Sequence, residues 1–274
     1  MQTLMLIGNC QVEGLKRHFE VMLPQSRITA FEVWKMTPVD IEAAGRALEQ
    51  ADVVVAQPLH APQYGPLQLD ALKSPGRPFR LMLIHNLHFE GAMPDCAYVG
   101  RLGHRIASPV SNYHSRIVLR AFLDGVDESG AHARLLDGHG IDARRVWAQQ
   151  LDELRRRESL GLVPFVDEID SLSRARRSFH MINHPAGHLL GAYAHKVASL
   201  LLDAAPDLPA DVPDLLEAGG AWPTLPWVRG AIGLHYERCH FVMPGDERRQ
   251  MTTEEFVARS FAIYRTQAAT DLVL

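Results

Sequence analysis

With 274 residues and 47% hydrophobic content, the chain can bury a full core, which excludes disorder. A formal net charge of −4 and a pI near 6.4 exclude a general nucleic-acid or anionic-membrane binder, because those partners require a basic face, so any polyanionic ligand must meet a local arginine cluster. Three cysteines, Cys10, Cys96 and Cys239, are too few and too scattered for a disulfide framework or a zinc knuckle, and they point to a reducing compartment.

The leading run Leu4-Met5-Leu6-Ile7 is apolar without alternation, as in a strand covered on both faces; Val12, Leu15, Phe19 and Met22 then recur at helical spacing. No basic leader precedes the run and it stops at Asn9, so it reads as neither a secretory signal nor a membrane span, and a cytoplasmic protein is expected. Arg27 to Trp34 reads as a second strand, Asp40 to Ala51 as a helix and Val53 to Ala56 as a third strand ending at Gln57-Pro58. Leu67 to Leu72 reads as a short helix closed by Ser74-Pro75-Gly76, and Phe79 to Ile84 as a fourth strand. The alternation predicts an α/β fold: an N-terminal parallel sheet with helices on both faces, in an SGNH or Rossmann-like order.

From about Ser108 onward the pattern is mainly helical. Ser111 is expected to cap a helix carrying Ile117, Val118, Ala121 and Phe122, and Asp142 one carrying Val146, Trp147, Leu151 and Leu154. Phe179 to Ile182 reads as a late short strand ending in Asn183-His184, before a helix with Leu189, Tyr193, Val197, Leu200 and Leu201 that stops at Pro206. Asp207 to Pro226, rich in proline, glycine and acid, reads as a surface connection or flap. Thr252 and Glu255 form a capping box for the last helix. The expected organisation is one globular unit over 1–274, with an α/β half at 1–107 and a mainly helical half at 108–274 packed on it.

The chemistry concentrates where strands end. Cys10 falls at a strand-to-helix turn, where unpaired N–H groups and the helix dipole stabilise a thiolate and can hold an oxyanion; the thiol is therefore expected to titrate below about 8.5. Against this stands the ordinary role of a free cysteine as a small buried apolar residue. Asn9, Gln11, Gln57 and Asn86 are carboxamides at strand ends, suited to an acyl carbonyl, an oxyanion or sugar hydroxyls, or else to satisfying loop backbone. In open α/β sheets ligands bind at those ends. His184, just past a strand, suits a general base; His114 suits either a helix's first turn or a second imidazole. His85 and His88 flank Asn86 and at strand alternation point to opposite faces, which argues against a metal site; no H-E-x-x-H or cysteine pair is present and no metal is expected. Arg155-Arg156-Arg157 and Arg174, Arg176 and Arg177 are the dense basic clusters, readable as phosphate contacts or as solvated faces stitched by i,i+4 pairs. Without a glycine-rich phosphate loop, NAD and ATP readings are weak.

Gly8-Asn9-Cys10-Gln11 after an N-terminal strand resembles the opening signature of the WcbI family, coenzyme A-binding acetyltransferases of bacterial capsular polysaccharide synthesis. Matches continue along the chain in Gln57-Pro58-Leu59, Asn86-Leu87-His88-Phe89-Glu90-Gly91 with Pro94-Asp95, Tyr113-His114-Ser115, Glu153-Leu154-Arg155-Arg156-Arg157-Glu158 and Asn183-His184-Pro185. The chain departs from the family's pattern at His85, where proline is usual. The resemblance implies transfer of an acyl group, acetyl first, from coenzyme A or acetyl-CoA to a hydroxyl of a sugar or polysaccharide precursor. It implies Cys10, His184 and His114 as catalytic candidates, Asn9, Gln11, Gln57, Asn86 and His88 around the substrate and oxyanion, and Arg157, Arg176, Arg177 and Tyr113 on the cofactor. The implied partners are a small acyl donor and a carbohydrate acceptor, with no nucleic acid and no membrane insertion. Two alternatives remain open: an SGNH-like cysteine esterase or thioesterase, and a non-catalytic protein binding coenzyme A or a nucleotide. The esterase reading requires a catalytic acid a few residues before the histidine, and none lies close upstream of His184.

Overall fold

The computed structural model describes residues 2–101, 103–202, 206–208, 211–245 and 247–274. In chain order the elements are β1 (Thr3–Gly8), α1 (Gln11–Met22), β2 (Arg27–Glu32), α2 (Pro38–Ala47), β3 (Val53–Ala56), α3 (Leu69–Leu72), β4 (Arg80–Leu83), β5 (Cys96–Tyr98), β6 (Gly100–Arg101), β7 (His104–Arg105) and β8 (Tyr113–Ser115). They continue with α4 (Arg116–Leu123), α5 (Glu128–Asp137), α6 (Ala143–Glu158), α7 (Val166–Ala175), β9 (Phe179–Met181), β10 (His184–Pro185), α8 (Gly187–Leu202), α9 (Pro226–Ile232), β11 (Phe241–Val242), β12 (Gln250–Met251) and α10 (Thr253–Tyr264). Among the described residues no helix is long and apolar enough to cross a membrane. The chain divides into two compact units, one of Met1–Leu87, Glu153–Val166 and Pro185–Leu216, the other of His88–Asp152, Asp167–His184 and Glu217–Leu274.

The first unit is built on a parallel sheet of order β2-β1-β3-β4. β1 is central, with Leu4 beside Ile28 on one side and Val53 on the other. Its continuous apolar run follows from cover on both faces. Met5, Ile7, Val54 and Ala56 share a core with Ile41 and Ala44 of α2 and with Leu48. By strand alternation Leu4 and Leu6 belong to the opposite face. There α1 packs on β2 and on α8. That helix contact is close: a Cβ on Gly14 would fall 2.8 Å from Leu190 Cδ1, and one on Gly191 would fall 2.9 Å from His18 Cε1.

The second unit pairs β5 with β8 antiparallel and buries an aromatic cluster of Trp222, Phe241 and Phe256. Phe241 and Phe256 stack at 3.9 Å, and Trp222 meets both edge-on. The Trp222 indole donates to Asp95 Oδ1 at 3.1 Å.

Several local expectations need correction. The second helix starts at Pro38, not Asp40, because Thr37 caps it: its hydroxyl accepts from Asp40 N while the Asp40 carboxylate accepts from Thr37 N, a full capping box. β2 stops at Glu32, since Val33–Lys35 turn in a 3-10 helix. Ser111 caps nothing; it sits at φ +63° in a turn, Tyr113–Ser115 pair as β8, and Ser115 is the cap that accepts from Val118 N. At the last helix only the Thr252 half of the box forms, because Glu255 pairs with Arg249 and Arg259 instead. Of the proposed flap, Pro209 and Ala210 lie outside the described residues. The stretch from Leu216 to Leu225 is no surface connection, with Ala221, Trp222, Thr224 and Leu225 all buried. Its proline and glycine content reads as exposed, but one tryptophan in an aromatic cluster anchors it.

Thr37→Ala removes the hydroxyl half of the α2 capping box, and loss of such a cap costs about 1 kcal/mol. The urea midpoint should fall by that equivalent with an unchanged m-value; an unshifted midpoint would show that the box contributes nothing to global stability.

Candidate functional site

Three parallel strands of the first unit bring their carboxyl ends to one edge, and each ends in a carboxamide. β1 delivers Asn9 and Gln11, β3 delivers Gln57, and β4 leads into His85 and Asn86. The four amides bond to one another. Asn9 Nδ2 donates to Asn86 Oδ1 at 2.8 Å, and Gln11 Nε2 to the same oxygen at 3.4 Å and to Leu87 O at 2.9 Å. Gln57 Nε2 donates to Gln11 Oε1 at 3.2 Å and to His85 O at 3.3 Å, while Gln57 Oε1 accepts from Asn9 N at 2.8 Å. Gln11 and Gln57 are buried, and with their hydrogen-bonding capacity spent on loop backbone and on each other they act as struts. Gly8 is required for this: a Cβ there would lie 2.5 Å from Gln57 Oε1 and 2.9 Å from Val12 Cγ1.

Asn9, Gln57 and Asn86 also line a cavity of about 660 Å³, a size suited to a cofactor or a sugar. Its other walls include Trp34, Leu59 and Tyr64, with Lys73, Glu153, Arg156 and Arg157 supplying charge. Trp34 is 63% exposed, uncommon for so large an apolar ring. Arg156 grips Glu153 through Nε at 2.7 Å and Nη2 at 2.9 Å, and Arg157 Nε adds a bond at 2.9 Å. Those bonds, Arg156 first, hold the Glu153 carboxyl down at about 2. The i,i+3 and i,i+4 stitching expected of a solvated helix face is thus present, on residues that also face a cavity.

Cys10 precedes the first turn of α1, half-buried and unpaired to any other cysteine. The dipole argument predicted a depressed pKa; instead the thiol is pushed up to about 11. Desolvation is the largest cause and the Glu32 carboxylate the next, outweighing the residue's own backbone N–H and Lys35. The oxyanion donors are also partly spent, since Gln11 N donates to Asn9 Oδ1 at 3.0 Å and Val12 N to Asn9 O at 3.1 Å. His85 is fully buried beside Glu158, with Nε2 3.4 Å from Oε1, and burial lowers its pKa. Glu158 Oε1 meanwhile accepts from Phe165 N and Val166 N, and His85 N donates to Tyr193 Oη at 2.6 Å. Among the described residues no cluster of His, Cys, Asp and Glu could hold a metal ion.

The remaining candidates belong to the second unit, each placed by that unit alone. Tyr113 Oη donates to Asn183 Oδ1 at 2.5 Å, lies 3.5 Å from His184 Nε2 and accepts from Tyr98 Oη at 3.3 Å. The His184 ring is half-buried against Gly219, where a Cβ would fall 2.6 Å from Nδ1. Tyr113, Asn183 and His184 therefore form one polar chain. Sequence reasoning assigned Tyr113 to a cofactor and missed its coupling to the imidazole. His114 is not at the start of a helix but on β8, fully buried, with Nδ1 2.9 Å from Tyr264 Oη and Nε2 2.9 Å from Ile106 O. Both nitrogens are engaged, so the contacts are those of a structural histidine. His88 is half-buried, Arg176 is exposed, and Arg177 Nη2 sits 3.0 Å from His180 Nδ1.

Two measurements follow. Alkylation of the folded protein at pH 7.5 should label exposed Cys239 first, leave fully buried Cys96 untouched and modify Cys10 slowly, with a Cys10 rate that climbs toward pH 11. Rapid labelling of Cys10 near neutrality would contradict the desolvated thiol. Burial also holds the His114 imidazole below its usual pKa, so its ring proton shifts should stay those of the neutral form as pH falls through 6.5, where a solvated histidine charges.

The family model described as polysaccharide biosynthesis enzyme WcbI matches residues 3–203. The native structure of WcbI, called a novel polysaccharide biosynthesis enzyme and described as lacking the disulfide between coenzyme A and one of that protein's cysteines, superposes with a TM-score of 0.78. That likeness covers 98% of this chain and 92% of the other at 17% identity, so it shows a shared fold. No curated protein sequence matches. Because the family model spans well over half of the chain, from the strand that carries Asn9, Cys10 and Gln11 through α8, this chain belongs to the WcbI family of polysaccharide biosynthesis enzymes.

Proposed function

We propose that the chain is a coenzyme A-dependent acyltransferase that passes an acyl group, acetyl first, to a hydroxyl of a sugar or polysaccharide precursor. One observation carries the reading: in a WcbI-family chain, the turn bearing Cys10 opens onto carboxamides that line a cavity of cofactor size with arginines at its wall. That the WcbI structure is one without a disulfide between coenzyme A and one of that protein's cysteines supports coenzyme A as the ligand and Cys10 as its neighbour. Three unpaired cysteines suit a reducing compartment, and we place the enzyme in the cytoplasm.

Of two routes, direct transfer fits the electrostatics better than an acyl-enzyme. A thiol at about 11 is ionised in roughly one molecule in ten thousand at pH 7, and the Gln11 N–H that would hold a tetrahedral oxyanion is already bonded. In the proposed route the acceptor hydroxyl attacks the thioester carbon. A C–O bond forms, the C–S bond breaks, and the hydroxyl proton passes to a base and then to the departing thiolate of coenzyme A. The family resemblance makes His184 the candidate base, and Tyr113 and Asn183 fix its ring. Asn9 and Asn86 offer hydrogen bonds to the acyl carbonyl or to sugar hydroxyls, and neutral Cys10 positions the donor.

Coenzyme A should raise the melting temperature, because a ligand selective for the native state stabilises it by mass action; no shift at millimolar ligand and no calorimetric heat would remove the assignment. With acetyl-CoA and an acceptor, His184→Ala should lower kcat by about 10²–10⁴. Cys10→Ala should act mainly on KM for the donor, the mark of a binding contact. Intact-mass spectrometry of wild type with acetyl-CoA alone should find no acetyl group on Cys10. Its stoichiometric acetylation would replace direct transfer with the acyl-enzyme route.

A further inference from the structure

The second unit holds three arginines that the chemistry above does not use. Arg177 follows α7, Arg238 lies between α9 and β11, and Arg248 lies in the turn between β11 and β12. Backbone bonds lace these loops together: Thr224 N to Arg238 O at 3.0 Å, Gly245 N to Ala218 O at 3.0 Å and Arg248 N to Gly245 O at 3.3 Å. Burial first, and then the charges of Arg238 and Arg248, hold the Arg177 guanidinium below its usual value, and burial followed by Arg248 lowers Arg238 in the same way. One carboxylate offsets them by ion pairing among the described residues, Glu217, whose Oε1 lies 2.6 Å from Arg248 Nη1.

Among the described residues the group is short of acceptors as well as of negative charge. Arg177 Nη1, Arg238 Nη1 and Arg248 Nε are all buried without a hydrogen-bond acceptor among the described residues, and Arg177 Nη2 faces the ring nitrogen of His180. Buried donors are nearly always satisfied, and each orphan weakens the fold. All three side chains are half-buried, so each group reaches solvent on one side. Arg248 adopts φ +45°, a left-handed backbone unusual for its residue type. Packing alone explains little of this: three like charges with unsatisfied donors oppose folding, and among the described residues one carboxylate pairs with them. A ligand with two or more negative charges and several acceptor oxygens supplies what is missing, and guanidinium forks match phosphoryl oxygens in pairs.

We infer that Arg177, Arg238 and Arg248 form a binding site for a phosphoryl or diphosphate group, whose one paired carboxylate among the described residues, Glu217, lies two residues before the glycine that supports the His184 ring. This goes beyond the thiol chemistry of the first unit and stands whether or not coenzyme A is the donor. The phosphates can come from the donor, as in coenzyme A, or from an acceptor carried as a nucleoside diphosphate sugar.

Calorimetry on the full chain with inorganic pyrophosphate tests the site. Wild type should bind, more weakly as salt rises, and Arg238→Gln and Arg248→Gln should each lose affinity by about tenfold or more, the value of a charge-assisted hydrogen bond. Without ligand, Arg238→Gln should melt at or above the wild-type temperature, since it relieves like-charge repulsion, whereas an arginine kept for packing would lower it. Absence of pyrophosphate heat, wild-type affinity in both variants, or an Arg238→Gln chain that melts lower without ligand would overturn the site. Repeating the titration with coenzyme A and with a nucleoside diphosphate hexose assigns the source: the ligand whose affinity falls in the variants is the one whose phosphates sit there. Pyrophosphate binding in a chain that ignores coenzyme A would keep the site and remove the coenzyme A reading. Coenzyme A binding with no response to pyrophosphate would do the reverse.

Discussion

The candidate site depends on one buried constraint, the mutual hydrogen bonding of four carboxamides across three strand ends. Parallel strands leave their last carbonyl and amide groups pointing past the sheet edge, where backbone must find partners or water. Gln11 and Gln57, both buried, take up that role by accepting from Leu87 N and Asn9 N and donating to Leu87 O and His85 O. The strut is rigid because every atom in it is committed, and a partly satisfied network in the interior is worse than none. Asn9 and Asn86, tied to the struts yet lining the cavity, are thereby held at fixed positions for a ligand. Gly8 belongs to the same constraint, since any side chain there would occupy the place of the Gln57 carboxamide.

Cys10 shows how two physical effects at one residue compete. Its place before α1 puts it within reach of the helix dipole, an effect of about 0.3–1 kcal/mol at a surface and up to about 2 when partly buried. Removal from water and the neighbouring Glu32 carboxylate act the other way and win. A resting protonated thiol is poorly suited to attack but well suited to lie beside a thioester without reacting with it. In the second unit a separate polar chain runs from His184 through Tyr113 to Asn183.

The sheet was legible because each of its strands is a local pattern. An uninterrupted apolar run reads as a doubly covered strand, and β1, β3 and β4 all fall where the runs do. Helix α6 with its Asp142 cap and helix α8 with its apolar stripe were likewise local. What escaped depends on distant partners. Tyr113–Ser115 is too short to carry a period, and only pairing with Cys96–Tyr98 makes it a strand. His114 reads as chemistry until Tyr264, 150 residues on, occupies one nitrogen. Proline and glycine around Trp222 read as surface because the phenylalanines that bury it lie beyond them in sequence. At the site the polar strand ends could be read off directly, but not that two of the four amides would be structural. Arg238 and Arg248, distant in sequence from Arg177, gave no signal until the fold gathered them with it.

The central claim is that coenzyme A binds against the carboxamide-framed edge of the sheet. Hydrogen–deuterium exchange with and without coenzyme A tests it most directly, because protection reports which backbone segments a ligand orders. The account predicts increased protection at 9–13, 57–60, 86–87 and 153–160, in the wild type and in Cys10→Ala alike. Protection confined to other segments, with these four unchanged at saturating ligand, would contradict it.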